Sequence, residues 1–122
     1  IKDIVTRFPY WFCRNYQKYA ENEERMPFDQ HMLIALAAPR LVYTTSKTFD
    51  SWADPEGQFE SLIQATPVYR LFGKTGMPLT KQPKPEHPIH DGEIGYHFKT
   101  GNHDLDEYDW DCVMDYADKH LV

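Results

Sequence analysis

Asp50 and His103 are the residues whose chemical types and setting best suit catalysis. Asp50 follows an apolar run ending at Ser46, and His103 sits in Gly101-Asn102-His103-Asp104. A carboxylate bonded to an imidazole fixes the ring's tautomer and stabilises its charged form once the ring has taken a proton from a nucleophile. No G-x-S-x-G segment precedes the pair. Asp50 and His103 therefore read as the last two members of a triad that runs serine, acid, histidine along the chain.

Both residues also have plainer readings, Asp50 as a solvated loop acid and Gly-Asn-His-Asp as a turn. Asp54 competes for the acid role, but it stands directly before Pro55, where helix capping accounts for it. His87, His90, Asp91, His97, His103 and Asp104 crowd one stretch without the ligand spacing of a closed zinc site, so no metal is expected. His31 lies among apolar residues and reads as a core histidine, whereas His120 reads as a helix-end cation. Cys13 and Cys112 lack C-x-x-C spacing and read as two buried free thiols, with a disulfide between them as the alternative. Trp52 suits either a core or stacking on a sugar ring beside Asp50.

The pair must be positioned by the elements around it. Trp11, Tyr16, Tyr19 and Ala20 recur near helical spacing and predict an amphipathic helix between Pro9 and Arg25. Asp29 then caps a short, largely buried helix from His31 to Ala38, stopped by Pro39. The β-branched and aromatic run Arg40 to Ser46 predicts a buried strand of a parallel sheet, and Lys47 to Ala53 a loop. Asp54-Pro55 starts a helix that runs to Gly73, with Pro67 expected to kink or divide it.

Residues 74–91 contain Pro78, Pro83, Pro85 and Pro88 and predict an ordered, irregular surface loop. The segment Glu93 to Gly101 alternates, with Ile94, Tyr96 and Phe98 on one face and His97 and Lys99 on the other, and predicts a second strand. A last helix starts at Asp106 or Asp109 and passes through Trp110, Val113, Met114 and Tyr116 to Leu121. Two strands joined by a helical crossover make a right-handed βαβ unit, too small to be a stable sheet without further strands. In such sheets reacting groups gather at the carboxyl ends of strands, and both Asp50 and His103 fall just beyond a strand end.

The chain has 122 residues, enough for one independent domain. Its 13 basic and 19 acidic residues give a net charge of -6, which provides no broad basic surface for nucleic acid or anionic lipid. No stretch approaches the roughly 20 apolar residues of a membrane span, and no signal peptide is visible.

Several ordered motifs carry a family resemblance over nearly the whole chain. Phe8-Pro9-Tyr10-Trp11-Phe12, Pro27-Phe28-Asp29-Gln30-His31 through Ala38-Pro39-Arg40, Asp50-Ser51-Trp52-Ala53-Asp54-Pro55, Pro67-Val68-Tyr69, Gly95-Tyr96-His97 and Gly101-Asn102-His103-Asp104 resemble the C-terminal part of bacterial glucuronoyl esterases, carbohydrate esterase family fifteen. The resemblance implies an α/β class chain spanning 1–122 as the C-terminal portion of a single α/β-hydrolase domain, completed by upstream strands on a companion N-terminal part. It implies hydrolysis of esters between (4-O-methyl-)glucuronic acid on xylan and lignin alcohols, without a cofactor, by a secreted or periplasmic bacterial protein. His103 resembles the family's general base, Asp50 the acid after its seventh strand, and Trp52 the tryptophan that contacts the glucuronoyl group. Some members carry their acid after the sixth strand, so Asp50 either leads or shares that role. Two other functions stay open: another carbohydrate esterase, such as an acetyl-xylan esterase, and a noncatalytic carbohydrate-binding module.

Overall fold

The computed structural model describes residues 1–121; Val122, the last residue of the expected span, lies outside them. Its elements are α1 (Lys2–Arg7), α2 (Arg14–Gln17), α3 (Gln30–Ala35), β1 (Val42–Lys47), α4 (Pro55–Leu71), β2 (Ile94–Lys99) and α5 (Glu107–Leu121), with single 3₁₀ turns at Glu23–Arg25 and Ser51–Ala53. β1 and β2 pair in parallel, with Val42 opposite Ile94 and Lys47 opposite Lys99. The fold is thus α/β, a parallel βαβ unit with flanking helices, as the sequence predicts.

Alternation along β2 decides which helix covers which face, because successive side chains point to opposite sides of a strand. Ile94 and Tyr96 join Phe59, Leu62, Ala65 and Tyr69 of α4 in the main core, where the Phe59 and Tyr96 rings lie 5.0 Å apart. Burying Phe59, Leu62 and Ile94 contributes about 1.5–3 kcal/mol each in transfer terms. The opposite face receives α5 through Cys112 and Tyr116, and the Tyr116 ring lies 4.9 Å from Tyr43. Gly95 makes this approach possible, since a Cβ there would stand 2.5 Å from the Tyr43 ring and 2.6 Å from the Tyr116 ring.

α4 begins as expected, with the Asp54 carboxylate accepting from Gly57 N at 3.1 Å and Pro55 in the first turn. Pro67 does not divide it into two elements. The ring is exposed, while Leu62, Ala65, Thr66 and Tyr69 around it are buried and hold the helix on the sheet. Residues 74–91 form the expected ordered loop. It is pinned where Thr75 N and Gly76 N donate to Glu93 at 2.9 and 3.0 Å, and where Ile89 bridges Tyr96 along the outer edge of β2.

The N-terminal third departs most from expectation. No single helix spans Pro9 to Arg25; after α1 the chain there makes only α2 and a 3₁₀ turn, linked by tight contacts such as Tyr19 N to Tyr16 O at 3.1 Å. Trp11 is 63% exposed and Tyr16, Tyr19 and Ala20 are only half-buried, so the periodic residues do not share one buried helix face. α3 is capped by Asp29 as expected, through Gln30 N at 2.7 Å. It contains no buried residue, because only Ile34 and Ala35 turn toward the core while Met32 and Leu33 stay exposed. His31 on it is half-buried, not a core histidine. Cys112 is a buried free thiol, but Cys13 is exposed and free, so the expected burial of both fails at Cys13 and the two form no disulfide.

Candidate active site

Two loops leave the carboxyl ends of β1 and β2 side by side. Thr48 N donates to Lys99 O and Phe49 N to Gly101 O, each at 2.9 Å, which extends the strand pairing into the loops. Asp50 opens the 3₁₀ turn Ser51–Ala53 through its carbonyl, bonded by Ala53 N at 3.1 Å, and its side chain makes no capping bond there. The carboxylate is free for another partner. That partner is His103, whose Nδ1 donates to Asp50 Oδ2 at 2.6 Å.

With Nδ1 engaged as a donor, Nε2 is the ring nitrogen left to accept a proton. The imidazole is 88% exposed and the Asp50 carboxylate 15%, so the acid is set back and the base faces outward. Both line a cavity of about 410 Å³ with Ala53, Gln58, Asp104 and Leu105. A larger groove of about 690 Å³ passes His31 and Leu33 between α3 and α4 but contains neither Asp50 nor His103. Of the two, only the smaller holds a carboxylate and an imidazole within hydrogen-bond distance, since Asp29 and His31 in the larger stand 4.0 Å apart.

Trp52 shares the turn of Asp50 but does not line that cavity. It stands 55% exposed, its ring 5.5 Å from Phe8 and 5.2 Å from the Arg7 guanidinium. Asp54 is occupied in capping. His120 closes the last turn of α5, where Nε2 donates to His90 O at 2.8 Å. Among the described residues no group of three or more His, Cys, Asp or Glu could hold a metal ion.

Sequence reasoning missed a second cluster, directly behind the loops. Lys47, expected in the loop, is the last residue of β1 and buried; its ammonium pairs with buried Asp109 of α5. The same carboxylate accepts from His97 Nε2 at 2.7 Å, Lys99 Nζ at 3.3 Å and Asp106 N at 3.0 Å. Burial acts to raise the Asp109 carboxyl, but the bonds from Lys47, Asp106 N and His97 outweigh it and hold the group well below the usual carboxylate range. Burial pushes His97 down against the pull of Asp109, so its ring is neutral, donating through Nε2 and accepting the Tyr43 hydroxyl at Nδ1 over 3.0 Å. The available signal was Asp109, Cys112 and Tyr116, spaced as one helix face, opposite His97 and Lys99 on β2.

With this geometry in hand, comparison with known proteins is specific. A family model described as glucuronyl esterase, fungi, matches residues 1–73. The chain belongs to the glucuronyl esterase family. A carbohydrate esterase from an unknown prokaryotic organism is 44% identical over 122 residues, covering 100% of this chain and 28% of its own length. The solved structure of a promiscuous CE15 esterase from a marine bacterial metagenome superposes with a TM-score of 0.95 at 44% identity, over 99% of this chain and 30% of that one. A glucuronoyl esterase from Solibacter usitatus does so with a TM-score of 0.91 at 42% identity, over 99% and 31%. The chain therefore corresponds to less than a third of the length of each of these relatives, and its two strands are a portion of an α/β-hydrolase fold.

Proposed function

We propose that this chain contributes the general base, His103, and an acid partner, Asp50, to the active site of a serine-type glucuronoyl esterase. The single observation that carries the proposal is the 2.6 Å bond from His103 Nδ1 to Asp50 Oδ2 at the carboxyl ends of adjacent parallel strands. The substrate is the ester between (4-O-methyl-)glucuronic acid on xylan and a lignin alcohol. A serine on a companion part of the same hydrolase attacks the uronoyl carbonyl, and His103 Nε2 takes its proton and passes it to the leaving alcohol. Water then attacks the acyl-enzyme with His103 again as base. Oxyanion donors on the companion part carry the developing charge, so the steps draw on no cofactor. Trp52 flanks the sugar as a stacking surface, and the polymeric substrate calls for a secreted or periplasmic protein.

The test is turnover of methyl glucuronate esters by the full-length protein, with fluorophosphonate labelling to find the nucleophile. Turnover lost in His103→Ala, with the label on a serine outside this chain, is the expected result. Sugar binding without turnover or label would instead favour a noncatalytic module. One relative is described as a promiscuous esterase, which favours a second reading with wider ester scope. Acetylated xylan assayed beside methyl glucuronate separates the two.

A further inference from the structure

The Asp50–His103 contact needs its two loops held at a fixed separation, and the last residue of each preceding strand shows how. β1 ends at Lys47, three residues before Asp50, and β2 ends at Lys99, four residues before His103. Both ammonium groups converge on one carboxylate, Asp109, which is only 2% exposed. Asp109 also receives Asp106 N at 3.0 Å, on the far side of the His103 loop, and His97 Nε2 at 2.7 Å from within β2. One side chain of α5 thus binds the start of the Asp50 loop and both ends of the His103 loop.

We propose that Asp109 is a positioning residue for the Asp50–His103 pair, acting through Lys47 and Lys99. Neither lysine bonds Asp50 or His103, and Asp109 touches no reacting atom. Its effect is to fix the register of two loop origins, and misplacement of a catalytic group by about 1 Å costs on the order of 10²-fold in rate. A buried carboxylate with these donors is well suited to this, because it has two oxygens with distinct directions and a charge that complements buried Lys47 and partly buried Lys99. His97, held neutral by burial, donates a bond without adding a third positive charge.

The inference rests on the esterase reading for its rate effect but not for its geometry, and the experiment separates the two. In the full-length protein, Asp109→Asn is compared with the parent for the downfield Nδ1 proton resonance of His103 and for kcat and KM on a methyl glucuronate ester. The expected result is loss or displacement of that resonance, with kcat down by about 10²-fold and KM nearly unchanged, in protein whose circular dichroism matches the parent. An unaltered resonance, with activity falling only as folded protein falls, would overturn the proposal. If Asp109→Asn does not fold, Lys99→Met decides, since that side chain is 13% exposed and pairs with exposed Asp106 as well as with Asp109, so its loss leaves Lys47, His97 and Asp106 N still on Asp109. A smaller displacement of the same resonance supports the proposal and an unchanged one overturns it. Full turnover in His103→Ala would sink the assignment of His103 as the general base instead, while leaving the resonance test of Asp109 intact.

Discussion

His103 Nδ1 and Asp50 Oδ2 lie 2.6 Å apart although 53 positions separate them in the chain. Two parallel strands in register bring their loops together, and the bond selects the tautomer in which Nε2 is free to accept a proton. His103→Ala should lower kcat for a methyl glucuronate ester by about 10³-fold or more, and Asp50→Asn by about 10²-fold to 10⁴-fold. Steady-state kinetics on the full-length protein checks both. A loss below tenfold in Asp50→Asn would mean that another acid carries the role.

Asp54 provides the control for that experiment. Its carboxylate is engaged with Gly57 N at the start of α4 and has no bond to His103. Asp54→Ala should cost about 1 kcal/mol of stability, the usual worth of a helix cap, and leave kcat within about twofold. Chemical denaturation and kinetics on the same preparation read the two effects separately.

These two aspartates illustrate what is legible in the sequence. Asp54-Pro55 is a local signal and the helix begins there; β1 and β2 likewise follow β-branched and alternating runs. The Asp50–His103 pairing is long-range, yet it is foreseeable because both residues follow strands that a crossover must set in parallel. The Lys47–Asp109 pair has no such cue, since a charge on a strand end and another on a helix carry no local mark of meeting. The failure at Pro9 to Arg25 is of another kind. Periodicity there is real, but Trp11 and Tyr16 stack on their chain neighbours Phe8 and Phe12 and none of the periodic side chains is fully buried, and tertiary packing stabilises helices more than spacing does.

Trp52 is half-exposed on the turn that carries Asp50 and contacts Phe8 and Arg7 at one side. If its free face stacks on the sugar, Trp52→Ala should raise KM about threefold to tenfold, the equivalent of about 0.5–1.5 kcal/mol, with kcat less affected. An unchanged KM for glucuronate esters would remove Trp52 from the binding surface.

Gly95 lies where β2 passes under two aromatic rings. An alanine Cβ there would come within 2.5 Å of Tyr43 and 2.6 Å of Tyr116, and the rings are locked by further bonds, including Tyr116 OH to Glu93 O at 2.7 Å. Gly95→Ala should therefore destabilise by about 1–3 kcal/mol through overpacking. Urea denaturation of the variant measures it, and a loss under about 0.5 kcal/mol would show that α5 shifts freely.

Acid should weaken the fold in two stages with different origins. Burial lowers both His97 and His90 below their ordinary value of 6.5, so in the folded protein they resist protonation that the unfolded chain accepts. Between that value and the lower folded ones, the unfolded state binds more protons, and stability falls as pH falls, by up to about 1.4 kcal/mol per pH unit for each group. Asp109 acts further down: bonds from Lys47, Asp106 N and His97 overcome its burial penalty and hold it below the ordinary 3.8, so its contribution is complete above that value and is lost as pH drops through the folded one. Melting temperature followed from pH 8 to pH 3 should decline from just below neutrality and steepen in the carboxylate range. His97→Gln should reduce the first stage to the His90 share and weaken the second, because His97 is one of the donors that hold Asp109 low. A parent curve level from about pH 7 to pH 5 would show that His97 and His90 take up protons in the fold as readily as in the open chain.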